Sequence, residues 1–255
     1  MIEFQDVHKT FPDPRGGEIS AVTGLNLVVR DGETHCLIGT SGCGKTTTMK
    51  MVNRLEEPTR GRILLGGEDI AGMDVIQLRR GIGYVIQTGG LFPHMTVGKN
   101  VGVMCELEAW SADDTQRRVR DLLKLVNLPA DEFAHRYPGE LSGGQRQRVG
   151  VARALALDPD YVLMDEPFGA LDPITRTQIH EEFQQLTREV HKTILLVTHD
   201  LSEAFKLGDR ISVMHRGSLV QTGTEDALKT QPANSFVEGF LTGQVIDGGE
   251  GHANV

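Results

Sequence analysis

Gly39-Thr40-Ser41-Gly42-Cys43-Gly44-Lys45-Thr46 is the stretch on which the reading of this chain turns. It satisfies G-x-x-x-x-G-K-[ST], a spacing whose glycines let the backbone wrap phosphates closely because side chains there would clash. The flanks agree. Thr34-His35-Cys36-Leu37-Ile38 reads as a short strand, and Lys45 to Arg54 reads as a helix. A helix start offers free backbone N–H groups and a positive dipole end, which suit an anion. Lys45 can then neutralise the β- and γ-phosphates of a nucleotide while the Thr46 hydroxyl holds Mg²⁺. A chance glycine-rich turn has no reason to bring the strand, the helix and the Lys-Thr pair with it.

On both sides of this loop, strands alternate with helices. Apolar strand-like runs occur at Leu25–Val29, Arg62–Leu65, Gly83–Ile86, Tyr161–Met164, Thr193–Val197 and Arg210–Met214. Ser111 and Asp114 form a capping-box-like pair, followed by Val119, Leu122, Leu123 and Val126 at helical spacing. Asp172-Pro173 signals another helix start, with Ile179, Phe183, Leu186 and Val190 on one face. Such alternation predicts an α/β fold with a mostly parallel sheet covered on both sides. The stretch from about 92 to 158 is mainly helical and is expected to form a separate lobe. Residues 242–255, rich in Gly and polar types, read as a frayed tail.

Two further groups of residues belong at the same sheet edge. Tyr161-Val162-Leu163-Met164 is an apolar strand that ends in Asp165 and Glu166. Adjacent strand residues point opposite ways, so the two acids take different tasks. Asp165 is assigned to Mg²⁺ and Glu166 to polarising the attacking water as general base. Thr193–Thr198 is a buried-type strand that ends in His199-Asp200. A lone histidine in such a place is most often a surface residue, but here its imidazole can donate to a γ-phosphate oxygen and orient the water. His35, His94 and His191 lack that context and read as ordinary structural residues.

Composition bounds the partners. The 255 residues carry 35 acidic and 26 basic side chains, a net charge of −9, which disfavours a dedicated nucleic-acid surface. No apolar run approaches the roughly 18–20 residues needed to cross a bilayer. Met1-Ile2-Glu3-Phe4-Gln5-Asp6 lacks the basic start and apolar stretch of a signal peptide. Cys36, Cys43 and Cys105 cannot all pair and show no metal-ligand spacing, as expected of a reduced, soluble cytoplasmic chain. Cys43 stands in the phosphate loop at a helix start, a setting that lowers a thiol pKa and predicts inactivation by thiol reagents with protection by ATP; the other reading is a small filler residue with no regulatory role.

Leu141-Ser142-Gly143-Gly144-Gln145 adds a puzzle. A hydroxyl, two glycines and an amide precede a helical pattern, which makes a second phosphate-reading helix start in a chain that already has one.

Together these residues resemble the ATPase subunits of ATP-binding cassette (ABC) transporters, over roughly residues 1 to 241. The carriers are the Walker A loop, a Gln87 loop after Tyr84–Ile86, the Leu141–Gln145 signature, the Walker B acids, Asp172 in Gly169-Ala170-Leu171-Asp172, and the His199 switch. The resemblance implies a P-loop NTPase (RecA-like) core, a small antiparallel β subdomain and an inserted helical lobe. It further implies that Phe11 stacks on adenine, that Val22 packs beside it, and that Gly39, Thr40, Ser41, Gly42, Cys43, Gly44, Lys45, Thr46, Thr47 and Gln87 bind ATP, with Thr46, Gln87 and Asp165 on Mg²⁺. It answers the puzzle too. In this family the signature faces the nucleotide of a head-to-tail partner, so Ser142, Gly143, Gly144, Gln145 and Asp172 are expected to act in trans in a homodimer. Closure and hydrolysis would drive a membrane permease, with Gln87 and nearby Leu91–Met95 at the contact and the chain on the cytoplasmic face of the membrane.

Lys45–Arg54, Gly83–Gln87 and Asp165–Arg176 resemble the branch that imports quaternary amines such as glycine betaine, choline or carnitine, fed by a solute-binding protein. Importers of amino acids or other polar solutes, and non-transport ATPases of the family, are the alternatives. Thr40 stands where proline is usual, Phe11 where tyrosine is commoner, and Arg146 where glutamine often follows the signature. Many members of the branch carry C-terminal CBS domains that sense ionic strength. Only a short tail follows Leu241, so no such gating is expected. The interval from Gln87 to Leu141 is too short for the coiled coil of a chromosome-structure ATPase. One cassette rather than two disfavours a translation factor, and a P-loop kinase would lack the signature. A non-hydrolysing regulator would be expected to lose Glu166 or His199.

Overall fold

The computed structural model describes residues 1–14, 16–86, 90–169 and 171–243. The chain opens with β1 (Ile2–Pro12), β2 (Glu18–Val29) and β3 (Thr34–Gly39), then α1 (Lys45–Val52), β4 (Arg60–Leu65), β5 (Glu68–Asp69), α2 (Val75–Arg80) and β6 (Ile82–Val85). Four helices follow: α3 (Val97–Leu107), α4 (Ala112–Leu125), α5 (Ala130–Phe133) and α6 (Gly143–Ala154). The chain then returns to β7 (Tyr161–Asp165), α7 (Pro173–Val190), β8 (Thr193–Val197), α8 (Leu201–Leu207), β9 (Arg210–His215) and β10 (Ser218–Gly223). It finishes with α9 (Glu225–Thr230) and α10 (Ser235–Leu241).

Among the described residues the strands form two sheets. One runs β2-β1-β4-β5 and is antiparallel; the other runs β10-β9-β3-β8-β7-β6. In the larger sheet β9, β3, β8, β7 and β6 are parallel, and β10 pairs antiparallel to β9 at one edge. This is the α/β arrangement anticipated from the alternating runs. Three strands escaped that reading, of which β5 is only the two residues Glu68–Asp69. Ile2–Pro12 alternates through a bulged register against β2, and Ser218–Gly223 is an only partly buried edge, so neither shows a clean apolar run.

Strand pleating divides the interior in two. Cys36, Ile38, Val162, Met164, Ile194 and Leu196 face one core, and their neighbours Leu37, Leu163, Leu195 and Val197 face the other. The first core is filled by α3, α4, α6, α7 and α8, through residues such as Val101, Leu123, Val149, Phe183 and Ala204. The second holds α1 and the antiparallel sheet, with Met49, Val52, Phe4 and Leu25. Buried side chains of the helices between β6 and β7 thus run without a break into those of the large sheet.

Local signals explain where the helices begin and end. Ser111 Oγ accepts from the Asp114 N–H at the start of α4, and Val119, Leu122, Leu123 and Val126 are all buried. Asp172 caps α7 by accepting from the Thr175 N–H, and Ile179, Phe183 and Leu186 are buried. Helix α1 stops at Val52, two residues short of expectation, because Arg54 turns left-handed at φ +51°.

Candidate active site

Three parallel strands deliver the candidate site residues to one edge. β3 feeds the phosphate loop, β7 the acids, and its neighbour β8 the histidine. A cavity of 680 Å³ lies there, lined by Gly39 to Thr47, Glu166 and His199, with Ala21 and Phe240.

The loop is built for close backbone approach. Gly44 sits at φ +102°, and a Cβ on it would come within 2.3 Å of the Ala21 carbonyl oxygen, so no other residue fits. Lys45 Nζ arches back over the loop and donates to the carbonyls of Gly39 (2.8 Å) and Thr40 (3.1 Å). Its ammonium is thereby held at the cavity as a positive charge. The Cys43 N–H donates to the Thr40 carbonyl, closing the turn.

Thr46 Oγ1 donates to Asp165 Oδ1 at 3.0 Å, which sets a hydroxyl beside a carboxylate as two hard oxygen donors suited to a small divalent cation. Burial raises the Asp165 pKa, opposed by the Thr46 hydrogen bond and reinforced by the Glu166 charge. Glu166 turns away from it. The residue adopts φ +44°, a left-handed conformation costing on the order of 1–3 kcal/mol for a non-glycine residue. Its N–H donates to the Val197 carbonyl at 2.8 Å, and its carbonyl accepts from Gly169. The result is that Glu166 Oε1 meets His199 Nδ1 at 3.0 Å. Since a carboxylate only accepts, Nδ1 carries the proton and Nε2 is left for another partner. Behind the histidine, Glu203 is 2% exposed and burial pushes its pKa up to about 8, despite the bond it accepts from Thr198 Oγ1 at 2.8 Å.

The other expected residues fall into three places. Ser142 caps α6: its Oγ accepts from the Gln145 N–H at 3.2 Å, and Gln145 Oε1 accepts from the Ser142 N–H at 2.9 Å. Gly144 is needed for packing, because a Cβ there would lie 2.7 Å from Ile179 Cδ1 and 2.9 Å from Thr175 Cγ2. Ser142, Gly143, Gly144, Gln145 and Asp172 do not line the cavity. Val22 is fully buried beside Gly44, and its neighbour Ala21 is the one facing the cavity. Phe11 pairs with Ile19 on the β1–β2 ribbon, away from the cavity lining, with Lys9 Nζ 4.6 Å over its ring. Gln87 lies outside the described residues.

The expectation for Cys43 is corrected. Its side chain belongs to the second core at 2% exposure, and burial raises its pKa more than nearby Lys45 lowers it. The Lys45 N–H and ammonium at the start of α1 do reach the sulfur, but their lowering of its pKa is smaller than the rise that burial causes. His35 is the buried, bonded residue anticipated, with Nδ1 3.0 Å from Glu33 Oε1 and Nε2 2.8 Å from Ser212 Oγ. Phe240 was missed because it belongs to no motif. Only the packing of α10, where Phe236 stacks on His215 at the end of β9, brings it to the cavity.

A phosphate loop, a paired hydroxyl and carboxylate, and a strand-end Glu–His pair on one parallel sheet define a P-loop nucleotide-binding cassette. A family model described as ABC transporter matches residues 22–169, more than half of the chain, and the protein belongs to that family. It is similar to the carnitine transport ATP-binding protein OpuCA of Listeria monocytogenes, 54% identical over 241 residues that cover 94% of this chain and 59% of that protein. The choline transport ATP-binding protein OpuBA of Bacillus subtilis is 53% identical, with 94% of this chain and 62% of that protein covered. The chain therefore spans about three-fifths of the length of these curated relatives. Among solved structures, the dimeric post-hydrolysis state of the ATP-binding cassette MJ0796 bound to ADP and Pi superposes with a TM-score of 0.78 at 33% identity, over 88% of this chain and 98% of that one.

Proposed function

We propose that this chain is the ATP-hydrolysing subunit of an importer for a quaternary amine such as glycine betaine, choline or carnitine. The observation that carries the hydrolytic part is the placing of Lys45, Thr46 and Glu166–His199 around one cavity while the signature residues stay out of it. A site with its phosphate cradle, base and switch in one place, and its second phosphate-reading helix start elsewhere, is completed by a second copy. Two ATP molecules are then held between Lys45 of one protomer and Ser142–Gln145, with Asp172, of the other. The dimeric cassette bound to ADP and Pi supports this reading, as do the transport ATP-binding relatives for the solute class.

In this reading Lys45 and the backbone of Gly39–Thr47 hold the phosphates. Glu166 takes the proton of the attacking water, and His199, held by its Nδ1 bond to Glu166, turns Nε2 toward the γ-phosphate, to which it donates in the form that carries a proton on both ring nitrogens. Thr46 and Asp165, with Gln87, would hold Mg²⁺, which supplies charge neutralisation on the phosphate oxygens when bound. Phe11 would stack on adenine with Val22 behind it. Residues 1–241 would form the cassette, with the helices of about 92–158 as its lobe.

Partner contact is assigned to a groove of 360 Å³ lined by Arg79, Tyr84, Ile86, Phe92, Met104 and Leu107. Phe92 and Leu107 are 41% and 61% exposed there, an apolar lip beside the Leu91–Met95 segment expected to meet a permease. The described residues contain no helix long and apolar enough to cross a membrane. In this reading the chain meets the membrane through the permease, at the cytoplasmic face.

The test is ATP turnover with Glu166→Gln. Hydrolysis should fall by about 10²–10⁴-fold while ATP binding and ATP-driven dimerisation persist. Wild-type turnover in this variant would overturn the base assignment. Deleting the gene should abolish betaine or choline uptake; unchanged uptake of all three amines would remove the solute assignment.

A further inference from the structure

We propose that Arg176 is a positioning residue that ties the turn carrying Glu166 and Asp172 to the turn carrying His199, so that the two move as one unit. Arg176 lies one turn into α7. Its Nη2 donates to the Leu171 carbonyl at 2.8 Å and its Nη1 to Asp200 Oδ2 at 3.2 Å. Leu171 immediately precedes Asp172, and Asp200 immediately follows His199. One guanidinium therefore spans both turns.

The Asp200 end is rigid. Its Oδ1 caps α8 by accepting from the N–H groups of Ser202 (2.8 Å) and Glu203 (3.2 Å). Its own N–H donates to Thr198 Oγ1 at 3.0 Å, and that hydroxyl donates to buried Glu203. The backbone is thus held on both sides of His199, whose own side chain is 62% exposed and has little packing to orient it. Its direction depends on its neighbours' hydrogen bonds. At the other end of the same two turns, the Glu166 N–H is fixed to the Val197 carbonyl. The turns are joined at Glu166 and again at Arg176, so a shift of Leu171 reaches His199.

A carbonyl and a carboxylate approached from different directions need the planar fork of arginine; an ammonium on a flexible stem can serve one of them well. The inference rests on the reading of Glu166 and His199 as base and switch and of Asp172 as a contact to a second copy. Docking of that copy on Asp172 then sets His199 through Arg176.

The test measures Mg-ATP turnover, affinity for a fluorescent ATP analogue and melting temperature for Arg176→Gln, Arg176→Lys, Asp200→Asn and the Arg176→Gln/Asp200→Asn double variant. Asparagine keeps the α8 cap and removes the ion pair. Each single variant should lose roughly ten-fold or more in kcat. ATP affinity and melting temperature should stay near wild type, lysine should not rescue, and the double variant should be no worse than the worse single one. Wild-type kcat in the single variants, losses that multiply in the double variant, rescue by lysine, or a loss that tracks ATP affinity or melting would each overturn it. If Arg176→Gln does not fold, Arg176→Lys and Asp200→Asn decide the matter alone. Failure of the underlying reading looks different: Glu166→Gln and His199→Ala would then leave turnover unchanged.

Discussion

At Cys43 two physical effects compete, and burial wins. A thiol next to a lysine in a phosphate loop should ionise easily, yet Cys43 has almost no contact with water and its pKa is raised. Alkylation of the folded chain by iodoacetamide near neutral pH should therefore be much slower at Cys43 than in the unfolded chain, even without ATP. Mass spectrometry of the Cys43 peptide checks this; rapid labelling of the native protein would show that the loop opens. Glu166 shows the opposite balance, since a costly φ is held in place by two backbone hydrogen bonds. What its strained turn achieves is direction: Asp165 points to Thr46 and Glu166 to His199.

Elements carry the next level of control. Helix α6 can start where it does only because Gly144 lets it press against Thr175 and Ile179 of α7. The signature segment and the Asp172 turn thus form one surface. Helix α8 sits on a different balance, with the Glu203 carboxyl buried beneath the His199 turn. Its pKa is about 8 in the folded chain against 4.5 when solvated. Between those values the native state binds the extra proton, so stability falls as pH rises from about 4.5 through about 8, by at most roughly 1.4 kcal/mol per pH unit. Melting curves from pH 6 to 9 should show this decline, and Glu203→Gln, which keeps the shape without the titration, should flatten it. A wild-type curve no steeper than that of the glutamine variant would refute the assignment.

For the whole molecule, the proposed dimer would have each chain give Lys45 to one ATP and Ser142–Gln145 to the other. Chains carrying Lys45→Ala and chains carrying Ser142→Arg should each be nearly inert. Mixed together they should regain turnover, because one site of the mixed dimer combines an intact Lys45 with an intact Ser142. Steady-state ATPase of the 1:1 mixture is the measurement, and activity no higher than either parent would reject composite sites.

Much of this was legible in the chain itself. The phosphate loop, the acids, the histidine and the α4 and α7 caps are local: their meaning lies in a few residues and in spacing, and hydrogen bonds between near neighbours enforce them. The parallel sheet followed as well, since its strands are apolar on both faces. What only the tertiary structure decided depends on residues distant in sequence. Phe240 reaches the cavity through the stacking of α10 on β9, Cys43 is silenced by its neighbours in the second core, and Arg176 joins two turns. Burial and cross-element contact set those properties, and neither has a period or a motif that a linear reading can detect.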